Sequence, residues 1–114
     1  MIIAGIVRQT DLTILSRNDF RKNETTQMAK ILVIEDDEEM RDLLNMLLIE
    51  DGHEVFVAKD GIEGIRRFYQ FHPNLVITDI YMPNKDGIEV IRELIEFNPK
   101  QAIIAMSGIT IVSL

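Results

Sequence analysis

Ile31-Leu32-Val33-Ile34-Glu35-Asp36-Asp37 is the stretch that decides the fold, and Leu75-Val76-Ile77-Thr78-Asp79 repeats its design. Each is a short apolar run that stops abruptly at carboxylates. A buried strand of this kind delivers its acids to the C-terminal edge of a parallel sheet, where open α/β folds build their sites. Glu35, Asp36 and Asp79 gathered there would repel one another. They call for a cation, and oxygen-only ligands suit a hard ion such as Mg²⁺.

Working outward, the segments around these runs alternate between strand and helix patterns. Ala29 to Ile34 reads as the first strand, apolar on both faces and so placed inside the sheet. Met40, Leu43, Leu44, Leu47 and Leu48 follow the i, i+3, i+4, i+7, i+8 stripe of a helix with one buried face, and Asp51-Gly52 ends it. Glu54 to Ala58 is a short second strand. Asp60-Gly61-Ile62-Glu63 and Asp86-Gly87-Ile88-Glu89 are one repeated tetrapeptide. An Asp with a Glu three residues on approximates a capping box, so both copies read as helix starts. Apolar spacing follows each: Ile62, Ile65, Phe68 and Tyr69, then Ile88, Ile91, Leu94 and Ile95. Leu75 to Asp79 and Gln101 to Met106 are the third and fourth strands. The β-α-β-α-β-α-β order implies parallel pairing through right-handed crossovers.

Bulk properties set the frame. The chain has 114 residues, 46% of them hydrophobic and 27% charged, which fits one globular domain. No apolar run approaches the eighteen or more residues of a membrane span. Cysteine is absent, so there is no disulfide framework, thiolate nucleophile or Cys-ligated zinc. The first residues lack a basic n-region and a long apolar core, and the expected setting is cytoplasmic. The net charge of −7 is uneven: residues 1–27 carry +1 and the remainder −8, with five consecutive acids from Glu35 to Glu39. Such a surface discourages nucleic acid, whose binding rests on Lys and Arg neutralising phosphates.

Three motifs then stand in order: the acid cluster Glu35-Asp36-Asp37, the run Asp79-Ile80-Tyr81-Met82-Pro83-Asn84-Lys85-Asp86-Gly87, and Ala105-Met106-Ser107-Gly108. Asp36 and Asp79 are 43 residues apart, and Ser107 follows 28 after Asp79. Over Met28 to Gly108 the chain resembles the receiver domain of two-component response regulators. The resemblance implies a flavodoxin-like, doubly wound parallel α/β sheet of order 2-1-3-4. It also implies that Asp79 accepts a phosphoryl group from a histidine kinase, a phosphotransfer protein or a small phosphodonor. Glu35, Asp36 and Asp79 would hold Mg²⁺ with the backbone carbonyl of Tyr81, and Ser107 would contact the phosphoryl group and act as a switch. The role the resemblance implies is phosphorelay signalling by a phosphoacceptor, not a conventional enzyme. The chemistry agrees, because a carboxylate attacking phosphorus needs charge neutralised on the transferring oxygens.

Competing readings are weaker. A haloacid-dehalogenase-type phosphatase needs a second Asp two residues after the nucleophile, where Tyr81 stands. A nucleotide or flavin phosphate would want a Gly-rich turn after the first strand, not acids. Asp37, Glu38 and Glu39 read as a loop and first helical turn, and His53 and His72 as turn-side surface residues.

The ends depart from the family pattern. Only seven residues follow Ser107, so the fifth strand with its Lys-Pro and the fifth helix are expected to be missing. Lys85 and Lys100 lie in unrelated positions. The fourth strand is then expected to be an exposed apolar edge, open to self-association. Residues 1–27 read as a disordered or non-native extension, with Arg17 to Gln27 lacking periodicity, and residues 28–114 as a truncated receiver. Ile2 to Val7 as a substitute edge strand has little support. Two other readings stay open: an interaction module that works without phosphorylation, and the fragment of a truncated or frameshifted gene.

Overall fold

Five strands and three helices follow one another along the chain in the computed structural model, which describes residues 28–82, 84–107 and the backbone of 110–113. Strand β1 is Lys30–Ile34, helix α1 Glu38–Glu50, β2 Glu54–Ala58, α2 Gly61–Phe71, β3 Leu75–Asp79, α3 Gly87–Phe97, β4 Ala102–Ser107 and β5 Thr110–Ser113. The sheet order is β2-β1-β3-β4-β5. The first four strands are parallel in the expected order, with Ile34 beside Ala58 and Thr78, and Asp79 beside Met106. β1 lies inside the sheet, as its two-faced apolar run implies.

β5 was not anticipated. It pairs antiparallel with β4, with Ser107 opposite Thr110 and Ile104 opposite Ser113. The fourth strand is therefore not the exposed edge expected from the sequence, because its outer hydrogen-bonding side is taken by Thr110–Ser113. The expectations for residues 1–27, including a substitute edge strand there, lie outside the described residues, as do Pro83 and Gly108 of the two motifs.

Alternation along the strands divides the core into two layers. Ile31, Val33, Leu75, Ile77, Ile104 and Met106 pack on one side with Leu44 and Leu48 of α1. Leu32, Ile34, Val76, Ile103 and Ala105 pack on the other with Phe68 of α2 and Val90, Ile91 and Leu94 of α3.

Helix starts follow the sequence signals. The Asp37, Asp60 and Asp86 carboxylates accept from the backbone N–H groups of Glu39, Glu63 and Glu89 at 3.0, 2.8 and 2.9 Å. Glu63 also reaches back to accept from the Lys59 N–H at 3.0 Å, completing a box at α2. The buried stripes are narrower than expected. Leu43 and Leu47 are 42% and 41% exposed, and Ile62, Tyr69 and Ile88 are exposed too. Of the expected residues Phe68, Ile91 and Leu94 are buried, joined by Gly64 and Val90, which the stripes did not include. His53 is a further correction: it is buried at 6% exposure, and its Nδ1 accepts from the Ala29 N–H at 3.4 Å. Burial lowers its pKa. His72 is exposed and caps α2 in a left-handed conformation.

Candidate metal centre

The acids meet where β1 and β3 end. One carboxylate oxygen from each of Glu35, Asp36 and Asp79 lies within 4.8 Å of the other two. That is the cluster the sequence named, and among the described residues it is the one group of acids or histidines with metal-ligating spacing. Its members differ in environment: Glu35 is buried, Asp79 half-buried and Asp36 exposed.

Backbone contacts fix the first two. The Glu35 N–H donates to the Ala58 carbonyl at 3.0 Å, which carries the β1–β2 pairing one residue past the strand. Arg41, in the first turn of α1, donates from its guanidinium to the Glu35 carbonyl at 3.0 Å. The Asp37 N–H reaches a Glu35 carboxylate oxygen at 3.3 Å. Asp79 is held from both sides. The Thr78 hydroxyl donates to its carbonyl at 3.0 Å, and the Tyr81 N–H donates to its carboxylate at 3.3 Å. The Ile80 N–H extends the β3–β4 pairing to the Met106 carbonyl at 2.8 Å.

The loop after Asp79 returns tightly beneath it. The Gly87 N–H donates to the Ile80 carbonyl at 2.8 Å, and a Cβ on Gly87 would run into the Asp79 carbonyl and lie 2.7 Å from the Ile80 Cα. Only glycine admits that approach. The glycine in the second copy of the repeated tetrapeptide is thus a packing requirement of the site as well as a helix start.

Electrostatics mark the trio as short of positive charge. Burial, and then the hydrogen bond and charge of the neighbouring Asp79, push the Glu35 carboxyl up to about 8. Bringing three carboxylates this close favours either a proton or a cation between them. The donor set is all oxygen, which fits Mg²⁺ or another hard divalent ion.

Tyr81 has a highly exposed side chain, two residues past Asp79. Ser107 follows directly on Met106, the β4 partner of Asp79, at the end of β4 next to the site. Lys85 is directed elsewhere: its Nζ pairs with Glu93 at 2.6 Å, and that partner raises its pKa. Sequence reasoning passed over Arg41 and Thr78. Arg41 could have been singled out as the first cation after five acids, whereas nothing in the sequence distinguishes Thr78.

The family described as "response regulator receiver domain" matches residues 31–111. The chain belongs to that family. Among curated relatives, a probable transcriptional regulator of Porphyridium aerugineum is 44% identical over 57 residues, covering 50% of this chain and 24% of that protein. The CAI-1 autoinducer sensor kinase/phosphatase of Vibrio cholerae is 31% identical over 83 residues, covering 73% of this chain and 12% of that protein. The receiver chain thus spans a quarter or less of the length of these two relatives. Among solved structures, the Thermotoga maritima response regulator TrrA, in complex with Mg²⁺-BeF, is 36% identical with a TM-score of 0.69, over 71% of this chain and 70% of that one. A receiver domain protein from Clostridium thermocellum is 36% identical with a TM-score of 0.68, over 70% of this chain and 65% of that one. No described helix of this receiver is long and apolar enough to cross a membrane.

Proposed function

We propose that this receiver takes part in phosphorelay signalling by accepting a phosphoryl group on Asp79 in a Mg²⁺-dependent reaction. The observation that carries the reading is the convergence of Glu35, Asp36 and Asp79 within 4.8 Å at the strand ends. Glu35 and Asp36 would hold the ion together with Asp79 and the Tyr81 carbonyl. When bound, Mg²⁺ would neutralise charge on the transferring oxygens.

The remaining chemistry belongs to the chain. A carboxylate oxygen of Asp79 attacks phosphorus, forming a mixed anhydride. The bond from phosphorus to the donor nitrogen or oxygen breaks, and the leaving group keeps the electron pair. The Tyr81 N–H and the Thr78 hydroxyl orient Asp79. Ser107 donates its hydroxyl to a phosphoryl oxygen and serves as the switch residue. The donor is a histidine kinase, a phosphotransfer protein or a small phosphodonor, and the setting is cytoplasmic.

The test is incubation with Mg²⁺ and acetyl phosphate, followed by intact-mass analysis. The expected result is one added phosphoryl group, lost on EDTA treatment beforehand and absent in Asp79→Asn. A folded protein that takes up none at any Mg²⁺ concentration overturns the proposal.

One observation favours a second reading, an interaction module that works without phosphorylation. The strand beside β4 is Thr110-Ile111-Val112-Ser113, which brings no cation to the far side of the site. A fixed cation aimed at developing charge is usually a large contribution to such reactions.

A further inference from the structure

The helices on the two faces of the sheet are electrically unlike. α1 packs on one face, and residues 35–54, which form α1 and the turns beside it, hold nine acids and a single base, Arg41. α2 and α3 pack on the other face. Residues 59–71 and 85–100, which form those helices and the turns beside them, hold six charges of each sign. All of the −8 borne by residues 28–114 therefore sits around α1. Two copies of the chain repel least when they meet through α2 and α3.

That face also bears apolar surface with a definite centre. Tyr69 of α2 and Phe97 of α3 are 40% and 56% exposed, yet they meet edge to face, with 5.0 Å between ring centroids. Both also meet the buried Phe68 ring edge to face, at 5.4 and 5.8 Å. The Tyr69 hydroxyl donates to the Glu93 carboxylate at 3.4 Å, and Lys85 holds the same carboxylate at 2.6 Å. The two exposed rings thus form one platform that spans both helices.

We propose that a second copy of this chain docks on the α2–α3 face, about a two-fold axis near the Tyr69–Phe97 platform, so that α2 of each copy lies on α3 of the other. A two-fold contact sets residue i of one copy against j of its partner, and j against i. It is favourable only where the two helices complement each other in charge. Here they do. α2 holds Arg66 and Arg67 against Glu63, whereas α3 holds Glu89, Glu93 and Glu96 against Arg92. One helix is net positive and the other net negative. Arg66, whose side chain is 70% exposed, lies one helical turn from Tyr69, and Glu96, beside Phe97, is exposed as well. Each copy therefore offers both signs around a central aromatic pair, the apolar centre and polar rim of a protein interface. The contact leaves both acidic α1 faces pointing away from each other, and it does not depend on phosphorylation of Asp79.

Sedimentation velocity on the full chain over a range of concentrations reads the association, with circular dichroism to check that each variant is folded. The expected result is a monomer–dimer equilibrium that Phe97→Ser and Arg66→Glu each weaken roughly 10-fold. Leu47→Ser, on the exposed side of α1, should leave it unchanged. Glu96→Arg is the sharper variant. It lowers the net negative charge, so general repulsion alone would tighten the dimer, whereas the α2-on-α3 contact predicts a loss of roughly 10-fold. Arg66→Glu and Glu96→Arg combined should recover most of the affinity. The proposal is overturned by a chain that stays monomeric up to millimolar concentration, or by a dimer that Leu47→Ser breaks and Phe97→Ser spares. Tighter association of Glu96→Arg, or a double variant no tighter than the single ones, overturns it equally.

Discussion

Asp79 stands between two unlike neighbours. On the β1 side the chain is locked: the Glu35 N–H pairs with Ala58, Arg41 holds the Glu35 carbonyl, and the Asp37 N–H reaches the Glu35 carboxylate. Three carboxylates converge there. On the β4 side Ser107 pairs with Thr110 of β5, which is antiparallel and contains no charged residue. The two tasks of the proposed site therefore have separate structural bases. In the proposed function, holding a cation would depend on β1, β3 and the turns directly after them. Gripping a phosphoryl group from the far side would depend on the residues after β4.

That comparison can be broken in several ways. The largest effect is expected from Asp79→Asn, which should abolish phosphoryl uptake from acetyl phosphate while leaving the far-ultraviolet circular dichroism unchanged. Gly87→Ala comes next. Its Cβ has no room against the Asp79 carbonyl, so a loss of about 2–4 kcal/mol is expected in urea unfolding, with phosphoryl uptake falling as Asp79 is displaced. By contrast, Gly52→Ala has open space around its Cβ, and its cost comes from the positive φ of 93° alone; it should be milder.

pH offers a third test. The Glu35 carboxyl lies at about 8 in the folded protein against an ordinary 4.5, so the fold binds that proton more tightly than the unfolded chain does. Its contribution to stability is complete below about pH 4.5 and is lost as pH rises through about 8. Without metal, the thermal midpoint should therefore fall between about pH 5 and about pH 9. Mg²⁺ should oppose that fall, since the ion takes the proton's place, and Glu35→Gln should flatten the curve. A midpoint that rises over this range in the metal-free protein would contradict the assignment.

Smaller effects belong to the β4 side and beyond. Ser107→Ala removes one donor and should slow phosphoryl uptake roughly 10-fold while leaving Mg²⁺ affinity intact, a mild case of losing an oxyanion contact. Equal loss of both properties would erase the distinction between the two sides. Glu93→Gln breaks the Lys85 pair on the surface and should cost less than ~1 kcal/mol in the same urea experiment.

Much of this was legible in the sequence because it is local. An apolar run of strand length ending in acids specifies its own burial and the edge at which its acids emerge, so Glu35, Asp36 and Asp79 could be brought together on paper. Asp60 and Asp86 announced their helices through caps that involve only their next three residues. What escaped depends on partners distant in sequence. Ile109 to Leu114 is uncharged and mostly aliphatic, and nothing in it announces a strand returning along β4. Leu43 and Leu47 fit a buried stripe by spacing, but how wide a face is buried depends on neighbouring elements. His53 beside Gly52 looked like a surface turn, and its burial follows from where Ala29 enters β1.

In the proposed function the β1–β3 side alone would form the cation site. The most direct measurement is a Mg²⁺ titration of the full chain followed by backbone amide shifts. The account predicts a single saturable site, with the large shifts confined to residues 35–37 and 79–81 and little movement along β4 and β5. Asp36→Asn and Asp79→Asn should each weaken it. Shifts that fail to saturate, or that centre on residues away from Glu35, Asp36 and Asp79, would contradict it.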